Sequence, residues 1–269
     1  MKVLFWNTNN NAGKIINNVI SELIVEYKIA LVILAEYKAN IIELLGNLNK
    51  KGIAMRPYPT SGCERITVIG EKMDIEPGSH TDYASFQIVN KRDIYCCVHL
   101  PSRIYNNSLG MREIAIDEIL QNIQSIEKEL GSNNTIVVGD FNSNPFDSEC
   151  INANSFHGIP VFDDASKEKR TIANNEFKMF YNPMWSFFGD MQKPYGTYYY
   201  SGNNINNIFW HIYDQVIIRP SLRNRFVTSS LKILTDTSTQ CLLNHLKHPD
   251  KNISDHLPLL FEIKEDKHG

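Results

Sequence analysis

The chain lacks any run approaching the ~20 consecutive apolar residues of a membrane-spanning helix. No repeat recurs along it, and no linker or low-complexity tract divides it. It has no excess of one charge: 27 Lys and Arg stand against 30 Asp and Glu, a net charge of −3, with a pI of about 6.2. A global basic footprint for nucleic acid is therefore missing, although a local patch masked by acids elsewhere is compatible with these numbers. The five cysteines make no even framework, and they read as reduced thiols of a cytoplasmic protein. The opening MKVLFWNTNN has too short an apolar run for a secretory leader, and no small-residue cleavage site follows.

What is present is ample apolar material. With 269 residues, 42% of them hydrophobic, a single domain over 1–269 is the simplest organisation. Residues 2–6 (KVLFW) read as a buried strand. Residues 13–27 read as a helix, with Ile15, Ile16, Val19, Ile20, Leu23 and Ile24 at helical spacing. Residues 30–35 (ALVILA) are continuously apolar, as in a strand covered on both faces. Strand, helix, strand is the start of an α/β architecture. Further strands are expected at 65–70, 83–89, 93–98, 134–138, 213–218 and 257–263, and a second amphipathic helix over 112–130, stopped by Gly131. Cys96 and Cys97, adjacent on a strand, are expected on opposite faces.

The stretch VVGDFNSNPF (137–146) poses the functional question. Gly, Asp, Asn and Pro are all turn residues, so GDFNSNP on its own is equally a plain loop. Its neighbours in kind argue for more. Asn7 follows VLFW, Glu36 follows LVILA, His99 follows YCCV, and Asp140 follows TIVVG. Asp214 opens one late strand, and Asp255 and His256 precede another. In open α/β sheets ligands gather beyond the strand ends. Glu36, Asp140 and Asp255, with the neutral oxygens of Asn7 and Asn142, suit a hard cation such as Mg²⁺ or Mn²⁺, not a closed zinc site. A histidine beside such a set fits phosphate-ester hydrolysis. Within GDFN, Gly139 is expected to let the backbone turn. Asp140 and Asn142 then share one side while Phe141 packs on the other.

Six segments, FWN (5–7), AEY (35–37), VHLPS (98–102), GDFN (139–142), YDQV (213–216) and SDHLPL (254–259), resemble in order and spacing the endonuclease/exonuclease/phosphatase superfamily. The likeness runs from residue 3 to about residue 263, and GDFN and SDH are its most specific pieces. It implies a DNase I-like fold: an α/β four-layer sandwich of two packed mixed β-sheets flanked by helices. It implies a metal-dependent phosphodiester hydrolase, with Glu36 as central metal ligand, Asn7 beside it and Asp255 completing the coordination. Asp140 would bind or orient the attacking water, and Asn142 would hold Asp140 and touch the phosphate. His256, oriented by Asp214, would be either general base or phosphate-stabilising imidazolium, and His99 would donate to a phosphate oxygen. Two departures matter. Asn9 stands where relatives acting on abasic DNA carry an acid. His99 stands where they use Tyr, which is closer to the DNase I, deadenylase and phosphoinositide-phosphatase branches.

Around this set, Arg103 and Arg112 are candidates for phosphate contact. The aromatic segment 179–200, followed by Trp210, is either a packing insertion or a wall on which bases stack, with Tyr198 and Trp210 as candidate substrate contacts. NPMW and GTYYY within it resemble a bacterial subgroup of the superfamily with no assigned substrate. Cys241, His245 and His248 have the spacing of half a zinc site on a helix, or belong to an ordinary surface segment. The expected activity is a nuclease on DNA or RNA. The alternatives are a phosphatase on an inositol phosphate or nucleotide, and a catalytically dead binding module. Retention of the polar set argues against the last.

Overall fold

The computed structural model describes residues 1–102 and 108–265. The chain runs β1 (Lys2–Asn7), α1 (Lys14–Tyr27), β2 (Leu31–Ala35), α2 (Ile41–Lys50), β3 (Arg56–Tyr58), β4 (Ile66–Gly70), β5 (Ile75–Pro77), β6 (Ala84–Val89), β7 (Asp93–His99), α3 (Ser108–Leu130) and β8 (Thr135–Asp140). Short strands follow: β9 (Gly158–Ile159), β10 (Lys169–Ile172), β11 (Asn175–Lys178), β12 (Phe180–Tyr181), β13 (Tyr198–Tyr199) and β14 (Trp210–His211). Last come β15 (Asp214–Ile218), β16 (Lys232–Ile233) and β17 (Leu259–Glu262). Two mixed sheets result, with strand orders β16-β17-β1-β2-β4-β3 and β5-β6-β7-β8-β15-β12-β9.

The layers follow from side-chain parity. On β7, Tyr95 and Cys97 join the core shared with β1, β2 and β4, while Ile94, Cys96 and Val98 face α3 through Ile116, Ile119 and Ile123. The adjacent cysteines thus split across the sheet as the strand period demands. On the far side of the first sheet, α1 buries Ile16, Val19, Ile20, Leu23 and Ile24. α2 is capped by Asn40, whose side chain accepts from the Ile42 and Glu43 N–H groups, a contact worth about 1 kcal/mol. The architecture is the DNase I-like α/β sandwich. Every residue of β2 and of β8 is buried, and each large apolar side chain hidden this way contributes roughly 1.5–3 kcal/mol. All five cysteines are free thiols, Cys241 alone exposed. Among the described residues no helix is long and apolar enough to cross a membrane.

Register brings the polar strand ends together. His99 of β7 and Asp214 of β15 are both aligned with Asp140 of β8. In the other sheet Asn7 is aligned with Ala35, the residue before Glu36. The opposite end of the sandwich is pinned by ion pairs: Arg225 and Arg92 on Asp93, and Arg219 and Lys178 on Glu127.

Candidate active site

Asp140 is the hub. Its Oδ2 accepts from Asn7 Nδ2 at 3.0 Å and from Asn142 Nδ2 at 3.3 Å. Oδ1 accepts the Asn142 backbone N–H at 2.8 Å. Two imidazoles face the same oxygen, His99 Nε2 at 3.7 Å and His256 Nε2 at 4.0 Å. Both separations are wider than hydrogen bonds, so the two rings face Asp140 without bonding to it.

The GDFN segment reaches this geometry differently from the sequence expectation. Gly139 still belongs to β8, and a Cβ there would lie 1.9 Å from the Val98 carbonyl oxygen. Its role is close approach of two strands, not a turn. The turn falls at Asn142, whose φ is +47°, a left-handed conformation that Asn tolerates better than most residues. Asp140 and Asn142 therefore meet through a side-chain turn. Phe141 packs on Phe156 with ring centroids 5.0 Å apart, as expected.

Arg112, expected near phosphate, is instead fully buried beneath this loop. It donates to the carbonyls of Pro101 and Phe141 and to Ser143 Oγ, and pairs with Glu149 at 3.1 Å. It ties the segment after His99 to the segment after Asp140 and has no face left for a ligand. Arg103 lies outside the described residues.

His256 is fixed on every side. Its Nδ1 is 2.8 Å from Asp214 Oδ2, its N–H donates to Ser254 Oγ, and its carbonyl accepts from Trp6 Nε1 at 2.9 Å. Ser254 Oγ in turn donates to the Asn7 carbonyl at 2.7 Å, joining the first strand to the segment that leads into the last. Asp214 is fully buried, and its N–H donates to Thr197 Oγ1. Burial works to lower the His256 pKa. The carboxylates of Asp214, Asp140 and Asp255 overcome it and push the imidazole up to about 10. Tyr198 covers the ring at 4.8 Å and stacks on Tyr213 at 5.3 Å. Its neighbour across the hairpin, His211, holds Asn144 at 3.0 Å. Trp210 alternates to the other face, against Tyr199 and His248, and does not line the cleft. Thr197, Ser254, Trp6, His211 and Asn144 were not singled out as functional from the sequence. For Trp6 and Ser254 the signal was there, inside FWN and SDH.

Glu36 sits just past β2 with φ +51°, an uncommon conformation for a residue with a side chain and one that clusters at functional sites. Its carboxylate meets His99 Nε2 at 3.3 Å and accepts from Asn10 Nδ2. Glu36, Asp140 and Asp255 line one cleft of about 1220 Å³ in which, among the described residues, Arg65 is the sole guanidinium. Three carboxylates lining one cleft offer the oxygen donors a hard cation takes. Asp140, Asp214 and His256 also offer ligand atoms within 4.8 Å of one another. Asp214, however, has both oxygens within 3.1 Å of His256 Nδ1, so that trio is taken up by its own ion pair. Asn7, expected as an oxygen ligand, uses its carboxamide oxygen to accept from the Asn9 N–H and turns its amide to Asp140. It positions the carboxylate. The segment 241–249 forms no helix: the bridges Asp236–Cys241 and Leu243–Pro249 make it a tight excursion. Among the described residues no metal-ligand cluster includes Cys241, His245 or His248.

Compared by sequence, the chain matches no protein-family model and no curated protein. Compared by fold, it is similar to an AP endonuclease from Archaeoglobus fulgidus (12% identity, TM-score 0.57, 98% of this chain and 100% of that one). It is similar to a 3'-5' exonuclease from Neisseria meningitidis (15%, 0.55, 98% and 100%). It is also similar to an endonuclease/exonuclease/phosphatase family protein from Leptotrichia buccalis (14%, 0.57, 98% and 100%). These likenesses span nearly the whole chain and show that it has the DNase I-like fold.

Proposed function

We propose that this protein is a divalent-metal-dependent phosphodiesterase, and that its substrate is nucleic acid. The observation that carries the reading is the convergence of two imidazoles and two carboxamides on Asp140 Oδ2, with Asp214 buried behind His256. Glu36 and Asp255, with Asp140 beside them, are the residues that would hold Mg²⁺ or Mn²⁺, which when bound would neutralise phosphate charge and polarise the phosphorus. Asp140, held by Asn7 and Asn142, accepts the proton of a water seated against it. His99 and His256 present Nε2 to the same opening and donate to the phosphate oxygens as negative charge builds there. Asp214 keeps the His256 ring turned and its Nδ1 occupied. The Tyr198–Tyr213 stack supplies an apolar wall for a base or sugar. The similar Neisseria protein has been seen as a 3' phosphatase with a product DNA hairpin, which favours DNA among the nucleic acids.

A second reading, a phosphatase acting on a nucleotide or inositol phosphate, is favoured by the cleft's single guanidinium among the described residues, since a long polyanion calls for several Lys or Arg contacts. The test is a paired assay. Single- and double-stranded DNA and RNA are offered with Mg²⁺, Mn²⁺ or EDTA to the wild type, Glu36→Ala and His256→Ala, beside a phosphate-release screen on small phosphate esters. Metal-dependent cleavage lost in both variants supports the nuclease. Intact nucleic acid with phosphate released from a small ester replaces it with the second reading.

A further inference from the structure

Beside the catalytic cleft, on the other face of the β13–β14 hairpin, lies a second pocket of about 370 Å³. The strand period explains the pairing of the two. Tyr198 turns to His256, and Tyr199, the next residue, turns into the second pocket. Asp255 lines both, so they meet at one edge.

The donors of this pocket are built, not incidental. His248 stacks on Tyr199 with centroids 3.5 Å apart and planes 11° from parallel, and the edge of Trp210 closes on it at 5.8 Å. Asn244 holds the loop that carries both histidines, its Oδ1 accepting from the Leu246 and His248 N–H groups. His245, Lys251 and Ser201 complete the donor set. His245 and His248 line this pocket together, with Lys251 beside them, so an anion seated there meets an ammonium and two imidazoles that can donate to it. The acids facing the pocket are Asp250 and Asp255. Asp250 Oδ1 is engaged by the backbone N–H and side-chain amide of Asn252, and Asp255 is shared with the cleft.

We propose that this pocket is a second phosphate subsite, in which His245, His248 and Lys251 hold a phosphate group of the same substrate molecule whose ester is cleaved in the neighbouring cleft. The inference rests on reading that cleft as a phosphodiesterase site and adds a demand on the substrate: a further phosphate beyond the scissile one. Tyr199 and Trp210 act through His248, fixing the plane of its ring.

The test uses the full chain in EDTA, so that no turnover is needed. The ring resonances of His245 and His248, assigned from the His245→Ala and His248→Ala variants, are followed by NMR. The ligands are the dinucleotide TpT, the same dinucleotide with an added phosphate at either end, and inorganic phosphate. Saturable shifts of both rings are expected with a terminally phosphorylated dinucleotide and not with TpT. Lys251→Ala or His245→Ala should weaken that binding about tenfold. Both positions are exposed, so the variants keep their fold. Equal responses to TpT and its phosphorylated forms, or no response, overturn the subsite. Binding of inorganic phosphate without binding of the phosphorylated dinucleotides also overturns it, because the phosphate would then be free. In parallel, cleavage is measured with Mg²⁺. Phosphate-selective binding without any cleavage retires the nuclease and leaves the subsite standing. Cleavage of the phosphorylated dinucleotide with an unchanged KM in both variants retires the subsite and leaves the nuclease standing.

Discussion

His256 Nδ1 lies 2.8 Å from Asp214 Oδ2, and nothing of Asp214 reaches solvent. A carboxylate so enclosed is tolerable only because an imidazolium stands against it. Asp214→Asn keeps the shape and removes the charge. The pKa of His256, held at about 10 by the surrounding carboxylates against the pull of burial, should fall in this variant, read by NMR titration without metal. The rate should drop about 10²–10⁴-fold, the usual span for a displaced acid–base group. The sign for stability follows from linkage. A raised folded pKa contributes stability that is fully present below the unfolded value of 6.5 and lost as pH rises through about 10. The wild type should therefore weaken on the alkaline side, and Asp214→Asn should lose part of that slope, since Asp140 and Asp255 remain.

Acid should act at the other end of the sandwich. Asp93 and Glu127 are buried, which alone would raise their pKa values. The guanidinium groups of Arg225 and Arg92 on one, and of Arg219 on the other, prevail and lower them from 3.8 and 4.5. Depressed carboxyls contribute stability that is present above those ordinary values and lost as pH falls through the folded ones. Denaturant midpoints measured from pH 7 downward should hold until about pH 4 and then fall. Arg225→Met should cost about 3–5 kcal/mol at pH 7, as breaking a buried pair does, and should flatten the acid limb. An acid limb as steep as the wild type's would remove Asp93 as its cause.

Arg112 offers a separation of charge from geometry. Its fork reaches Phe141, Ser143, Pro101 and Glu149 at once, which a lysine ammonium cannot do. Arg112→Lys should retain part of the pairing with Glu149 and lose the clamp on the GDFN turn. The expected result is a small loss of melting temperature with a fall in kcat and little change in KM. Arg112→Ala leaves Glu149 without the partner it has at 3.1 Å and should destabilise the fold by about 3–5 kcal/mol. Equal kcat in wild type and Arg112→Lys would reduce the residue to a packing role.

Much of this was legible in the sequence, for reasons that differ by element. β1, β2 and β8 announce themselves because strands covered on both faces must be continuously apolar. α1 does so because five buried apolar residues fall on one stripe. α2 was missed: it buries only Leu44 and Leu48 and carries a mid-helix Gly46. The polar residues at strand ends come together because pairing register, once set by apolar patterns, aligns His99, Asp140 and Asp214. Arg112 misled because a sequence shows a charge but not its surroundings, and its partners come from three separate segments. Trp210 misled by parity: one residue of offset in a short hairpin decides which face a ring takes. Of the two readings of Cys241, His245 and His248, the ordinary surface segment is the one seen, because Asn244 turns the chain onto itself where a helix would have set Cys241 and His245 on one face.

Gly139 makes the sharpest structural prediction. It pairs with Val98 across β7 and β8, one residue before the row that holds His99 and Asp140. A methyl group added there would lie 1.9 Å from the Val98 carbonyl oxygen and 2.7 Å from its carbon. These are backbone atoms of a buried strand, so no side chain can swing aside. Gly139→Ala must push the two strands apart, and overpacking of this kind costs about 3 kcal/mol. The denaturant midpoint should fall by that amount. Because the displacement adjoins Asp140, activity per folded molecule should fall with it, as the opening between His99 and Asp140 is fixed by the same pairing. Gly70→Ala is the control: its added carbon would meet the Ala30 carbonyl at 2.9 Å, in the other sheet and at the end away from the site. It should lower stability without changing the rate of the molecules that remain folded. If Gly139→Ala behaved like Gly70→Ala in both measurements, the glycine would serve strand packing alone and the spacing of His99 and Asp140 would have to be set elsewhere.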